Sequence, residues 1–185
     1  MSDNSEKYRR AVADLSAVVN AVPADKWSAS SPCAGWTARH VVGHVIGGFH
    51  RVSAIETGTS FEPDDPVIAV GDDPPTAYVE ARDRALGVLT EDNLAKNVQS
   101  PMGQIPLDQQ VGMFSTPDVL IHTWDLAKAV GVDVNLDAVL VQETYDALLP
   151  MDEMIRMAGV FGPKVEPPAG ADLQTTLMCF TGRQP

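Results

Sequence analysis

The chain has 185 residues, with 25 acidic against 13 basic side chains and a formal net charge of −12. The length fits one domain able to bury a core without staples. The charge opposes contact with nucleic acid phosphate or an anionic membrane surface, both of which need clustered cations. No apolar run approaches the roughly 20 residues of a membrane span. The opening "MSDNSEKYRR" lacks the apolar core of a secretory signal, so a cytoplasmic location is expected. Cys33 and Cys179 are the only cysteines. Neither belongs to a C-x-x-C pair, which argues against a disulfide framework and a cysteine-rich zinc site.

In chain order the pattern is mostly helical. Residues 5–22 place Tyr8, Val12, Leu15, Val19 and Val22 at a three-to-four residue spacing, and Pro23 closes that helix. The loop "ADKWSASSPCAGW" leads to Thr37, whose hydroxyl suits the N-cap of a second helix running to about Gly58. Gly47 and Gly48 weaken that helix or admit a close approach. Residues 58–75 are acidic and proline-rich and read as a long crossover. A third helix is predicted over 76–90, with Tyr78, Val79, Ala85, Leu86 and Leu89 as its apolar face. "NVQSPMGQIPLD" at 97–108 carries hairpin signals. A fourth helix covers about 109–130, either kinked at Pro117 or starting there with Thr116 as cap, and Gly131 suits its end. A fifth helix fits 137–149, with short turns at 151–158 and 172–180. The expectation is an all-α four-helix bundle with a long crossover between helices 2 and 3. It forms a single domain over 1–185, with its core at about 5–131 and a C-terminal extension of short helical additions at about 132–185.

Such bundles build metal sites from side chains on facing helices, so the four histidines carry the functional question. Positions four apart share a helix face, because four residues advance ~400°. Asp118 and His122 therefore project together, as do His40 and His44. His50 points elsewhere, toward solvent. A metal site with about three protein ligands and one open position could combine Asp118 and His122 with a histidine of the second helix. His44 is the better candidate, because Val41, Val45 and Phe49 place it on an inward stripe. The competing reading is hydrogen-bonded core histidines, with Asp118 merely capping a helix after Pro117. The spacing alone favours that reading, since an isolated acid-x-x-x-His is common by chance.

Trp124 reads as core packing. Asp125 is either an outer acceptor for a ligating histidine or a solvated acid, and its place three residues beyond His122 makes the first a weak expectation. A Cys33–His pair could give a thiol nucleophile, but Cys33 reads more simply as a small buried hydrophobe beside Trp36. There is no G-x-S-x-G elbow, no phosphate-binding G-x-x-x-x-G-K-[ST], and no G-x-G-x-x-G.

Two segments together are more specific. "SPCAGWTARHVVGHVIGG" at 31–48 resembles a P-C-x-x-W-T-x-x-x-x-x-x-H pattern, and "DVLIHTWDLAKAVG" at 118–131 resembles [DE]-x-x-x-H-x-W-D-x-A-x-A-x-G. Both are similar to the DinB-like superfamily that includes the N-terminal domain of mycothiol-dependent maleylpyruvate isomerase. The ending "FGPKV…GRQP" resembles a single-domain actinobacterial branch of metal-binding proteins. The resemblance implies a divalent metal, zinc foremost and nickel as the alternative, held by His44, Asp118 and His122. It also implies a low-molecular-weight thiol such as mycothiol, a small-molecule electrophile as substrate, and a homodimer as the assembly to test. His40 falls where such sequences often carry the capping-box acid. The isomerases use Glu where this chain has Asp118, and they carry a further C-terminal domain that 185 residues do not accommodate. The implied activity is therefore a metal- and thiol-dependent transfer rather than the isomerisation itself. A non-catalytic metal-binding or ligand-sensing bundle and a metal-dependent hydrolase are the alternatives.

Overall fold

The computed structural model describes residues 2–58 and 70–185. Contacts divide the chain into two compact units, Met1–Val134 and Asn135–Pro185.

The first unit is built on four long helices. Helix α1 (Asp3–Ala21) is capped by the Ser2 side chain, which accepts from the Ser5 amide. It buries Tyr8, Ala11, Val12, Leu15, Val18 and Val19, one face at helical spacing. Val22 lies just past its end as the C-cap.

Helix α2 (Ala38–Ser53) begins at Thr37 as expected. The capping acid that the sequence lacks is replaced by His40, whose Nδ1 accepts the Thr37 amide at 2.9 Å. A neutral imidazole thus does the work of the usual carboxylate. The α-helix ends at Ser53, earlier than expected, and a tighter turn over Ala54–Glu56 carries the chain to Gly58. Gly47 and Gly48 do not break it. Most of the expected crossover, at 59–69, lies outside the described residues.

Helix α3 (Pro74–Gly87) starts earlier than the sequence suggested. Asp73 accepts from the Thr76 amide, and the two prolines sit in the first turn, where no intrahelical donor is needed. Tyr78, Ala81 and Ala85 are buried. Val79, read as part of the apolar face, is exposed.

A short turn, α4 (Glu91–Leu94), leads into an antiparallel hairpin of β1 (Asn97–Ser100) and β2 (Gly103–Pro106). The chain then coils through α5 (Leu107–Gln110) and a wide π-type turn over Val111–Ser115 into α6 (Thr116–Val130). Pro117 offers no N–H to the preceding turn, and the backbone there takes the wider π-type hydrogen-bond pattern. The Thr116 amide and hydroxyl both donate back to the Val111 carbonyl, the hydroxyl at 3.0 Å, so Thr116 closes the π turn rather than capping a new helix. Gly131 ends α6 in the left-handed conformation.

Helix α2 packs on α3 and α6, and α1 packs on α6 and α3, which closes the four-helix bundle. Every residue of α6 from 119 to 127 is buried. A helix buried on all sides must satisfy its own polar groups. Thr123 does so by donating to the Val119 carbonyl at 2.7 Å.

Gly112, in the π turn, has the Asn4 side chain against it. A Cβ built there would come within 2.5 Å of Asn4, which is itself held by Asp108 at 3.0 Å. Gly112→Ala should therefore destabilise the protein by about 1–2 kcal/mol. In an Asn4→Ala background the same change should become neutral or stabilising, because the helical preference for Ala over Gly is then unopposed. Urea unfolding of the four proteins checks this.

The second unit holds α7 (Ala138–Leu148), α8 (Asp152–Met157) and α9 (Leu173–Phe180), at the places expected from the sequence. Asp137 and Asp172 cap α7 and α9. Tyr145 and Phe180 join these two helices edge to face, with ring centroids 5.7 Å apart.

Candidate metal centre

Helix α6 carries Asp118 and His122 one turn apart on one face, and α2 presents His44 toward them. Among the described residues, one ligand atom from each of His44, Asp118 and His122 lies within 4.8 Å of the other two. Asp118 Oδ1 is 3.3 Å from His44 Nε2 and 3.5 Å from His122 Nε2. The first is a long hydrogen bond and the second longer still, against a common N···O distance of about 2.9 Å. They match the edge of a tetrahedron of nitrogen and oxygen ligands at zinc bond lengths, about 3.3 Å.

The donor chemistry agrees. Asp125 on α6 is fully buried, and its Oδ2 lies 2.9 Å from His122 Nδ1. A carboxylate can only accept, so the His122 proton belongs on Nδ1 and the Nε2 lone pair points at Asp118. That nitrogen can face the carboxylate only across a positive charge, either a second proton on the ring or a metal ion. The residues therefore fit a divalent ion.

The electrostatics of the ligand-free cluster show the same pull. Burial disfavours charge on the His44 ring, but the hydrogen bond and charge of Asp118 outweigh it and hold its pKa above the ordinary histidine value. For Asp118, burial pushes upward, yet the His44 hydrogen bond and the His122 and His44 charges hold its carboxyl below its usual range. Under the cluster, burial and then the Asp118 charge push the Tyr8 phenol far above its ordinary value, so it stays neutral.

The site is open on one side. The His44 and Asp118 side chains each keep 36% of their surface accessible, whereas His122 keeps 10%. Trp36, from the loop before α2, forms a wall. Its ring stacks on His122 at 5.9 Å and 22°, and meets His44 at 5.1 Å and 49°. The two imidazoles stand edge to face at 4.7 Å.

Of the other sequence candidates, His40 is occupied as the cap of α2. Trp124 is buried core, with Lys128 Nζ over its ring at 5.3 Å. Of the two alternatives for Asp125 the outer acceptor is the one observed, and the reading of Cys33 is corrected. Asp125 is not a solvated acid but a buried partner of His122. Cys33 is not a buried hydrophobe: it is partly exposed, and its Sγ lies 3.2 Å from Asp125 Oδ2. Sequence reasoning missed Trp36 as a wall of the site, although it lies within the "SPCAGWT" segment that carried the resemblance.

The helical bundle thus brings a His/Asp/His cluster together at a partly accessible place on α2 and α6. Residues 8–127 match the family described as mycothiol maleylpyruvate isomerase N-terminal domain, and the chain belongs to that family. Two uncharacterized proteins of Mycobacterium tuberculosis, from two strains, are each 30% identical over 145 residues, covering 76% of this chain and 74% of theirs. The crystal structure of the mycothiol-dependent maleylpyruvate isomerase shares the fold with a TM-score of 0.60 at 18% identity, over 76% of this chain. This chain covers 65% of that one. A mutant of that enzyme, with a histidine replaced by alanine, aligns with a TM-score of 0.64 at 14% identity, over 91% of this chain and 77% of that chain. The likeness confirms the all-α, DinB-like architecture.

Proposed function

We propose that the protein binds a divalent metal, zinc by preference and nickel as the alternative, and uses it with a low-molecular-weight thiol to modify a small electrophile. The observation that carries this reading is the convergence of His44 Nε2, His122 Nε2 and Asp118 Oδ1 at separations suited to one ion. Family membership supports the thiol, with mycothiol as the first candidate. The accessible side of the cluster favours a reacting site over a saturated structural one, which would close all its positions with protein ligands.

Each residue has a part that follows from its surroundings. His44 and His122 offer neutral nitrogen donors, and Asp118 adds a single negative charge. Asp125 keeps the proton of His122 on Nδ1, away from the ligand position. Trp36 shields the two rings and leaves entry from the side of His44 and Asp118. A divalent ion bound there would favour the thiolate form of a sulfur ligand and stabilise negative charge.

The test uses zinc-loaded protein, mycothiol and a panel of small electrophiles that includes maleylpyruvate. Consumption of an electrophile should require metal and thiol together. Turnover that needs metal but not thiol would replace this reading with metal-assisted hydrolysis. Turnover indifferent to zinc would overturn it.

A further inference from the structure

The second group of potential ligands among the described residues shares His122 with the first: Cys33, Asp125 and His122. Its distances are those of hydrogen bonds, 2.9 Å for the ring nitrogen and 3.2 Å for the sulfur, both to the same oxygen, Asp125 Oδ2. An S–H and an N–H can both donate to one carboxylate oxygen. The loop around Cys33 is braced by its own hydrogen bonds. The Ser31 amide donates to the Trp36 carbonyl, the Trp36 amide to the Cys33 carbonyl, and the Cys33 amide to Ser31 Oγ at 3.2 Å. These bonds fix the shape of the loop, and the Cys33 thiol ties it to α6 through Asp125 Oδ2.

We infer that Cys33 and Asp125 are positioning residues. Asp125 Oδ2 accepts from both the Cys33 S–H and the His122 Nδ1–H, and this shared acceptor holds the His122 Nε2 lone pair toward the metal position. The same loop carries Trp36, whose ring stacks on His122. Asp125 on α6 thus sets the tautomer of that ring, and the loop braces Asp125 and supplies the stacked Trp36 face. Partners of this kind behind a ligating histidine are commonly worth about 10- to 100-fold in metal affinity. The effect on zinc rests on the metal reading above; the effect on the tautomer does not.

The first measurement is nitrogen NMR of His122 in metal-free, otherwise unaltered protein, at a pH where the ring is neutral. The Nδ1–H tautomer is expected, and a dominant Nε2–H tautomer would overturn this arrangement. Asp125→Asn should shift the tautomer balance and weaken zinc binding by about 10- to 100-fold without changing the stoichiometry. Unchanged tautomer and affinity in that variant would sink the proposal. Cys33→Ala should weaken zinc by about 2- to 10-fold, the range of a neutral hydrogen bond, and Cys33→Ser should restore most of it. Equal loss in Cys33→Ser overturns the place of the thiol in this arrangement. A sulfur-to-metal charge-transfer band in the cobalt-substituted protein would make Cys33 a ligand instead, and overturn the proposal. Should the unaltered protein bind no zinc, the metal reading fails while the tautomer measurement still decides this one.

Discussion

Purified His122→Ala protein will carry no stoichiometric zinc or nickel, and its zinc affinity will fall by at least about 100-fold, which corresponds to about 2.7 kcal/mol. His44→Ala will show a similar loss, because each ring supplies one of three converging donors. The two variants will differ in stability. His122 keeps only 10% of its side-chain surface accessible, stacks under Trp36 and donates to buried Asp125. Its removal opens space in the core and takes a strong donor from a buried carboxylate, so it should cost about 2–4 kcal/mol and several degrees of melting temperature. His44 keeps 36% accessible. Its removal should cost less than about 1 kcal/mol in metal-free protein. Elemental analysis and calorimetry of both variants separate lost ligation from lost folding. Metal content unchanged in His44→Ala would defeat the ligand assignment even if His122→Ala proved unstable.

How far the site could be read from the chain depended on which residues were local to one helix. Asp118 and His122 are four apart on α6, so their shared face follows from helix geometry. His44 lies 74 positions before Asp118, and the inward stripe of Val41, Val45 and Phe49 placed it on the correct side of α2. Its meeting with α6 came from the family resemblance. The spacing of Asp125 from His122 does not reveal their bond, because three residues along a helix say nothing about where a side chain turns. Helix side chains lean toward the N-terminus, and that lean carries Asp125 back onto the His122 ring. Cys33 and Trp36 reach the site through a loop, whose path is set by backbone bonds such as Ser31 to Trp36 rather than by any periodicity.

The fold shows the same division. Helices with clear apolar stripes, α1 and α2, were legible. The π turn at Val111–Ser115 was not, since Pro117 allows a kink, a fresh start or a widened turn. Tertiary packing chose the last, with Asn4 of α1 against Gly112. The consequence is functional, because the turn sits three residues before Asp118 and fixes the phase at which α6 presents it.

Asp118 is the residue on which the two histidines converge, and its replacement should show how the charge and reach of the acid act. Asp118→Asn keeps the shape but removes the charge that both imidazoles face. Zinc affinity should fall by about 100-fold or more, since a neutral amide oxygen is a poor substitute for a carboxylate toward a divalent ion. In metal-free protein the same variant should lower the His44 pKa. Burial and the nearby Arg51 already oppose its charge, and Asp118 supplies the hydrogen bond and the attraction that raise it. Proton NMR titration would reveal that drop, and an unmoved His44 would contradict the contact. Asp118→Glu tests reach. The opposing position on α2 is Gly48, where even a Cβ would stand 3.9 Å from Asp118 Oδ2. A longer acid therefore meets backbone space rather than a side chain. Asp118→Glu should keep zinc within about tenfold of the unaltered protein, because the carboxylate retains its charge and can rotate back toward both rings. If Asp118→Glu instead lost zinc as fully as Asp118→Asn, the spacing between α2 and α6 would be matched to the shorter acid. The site would then differ in metal position from family members that carry Glu.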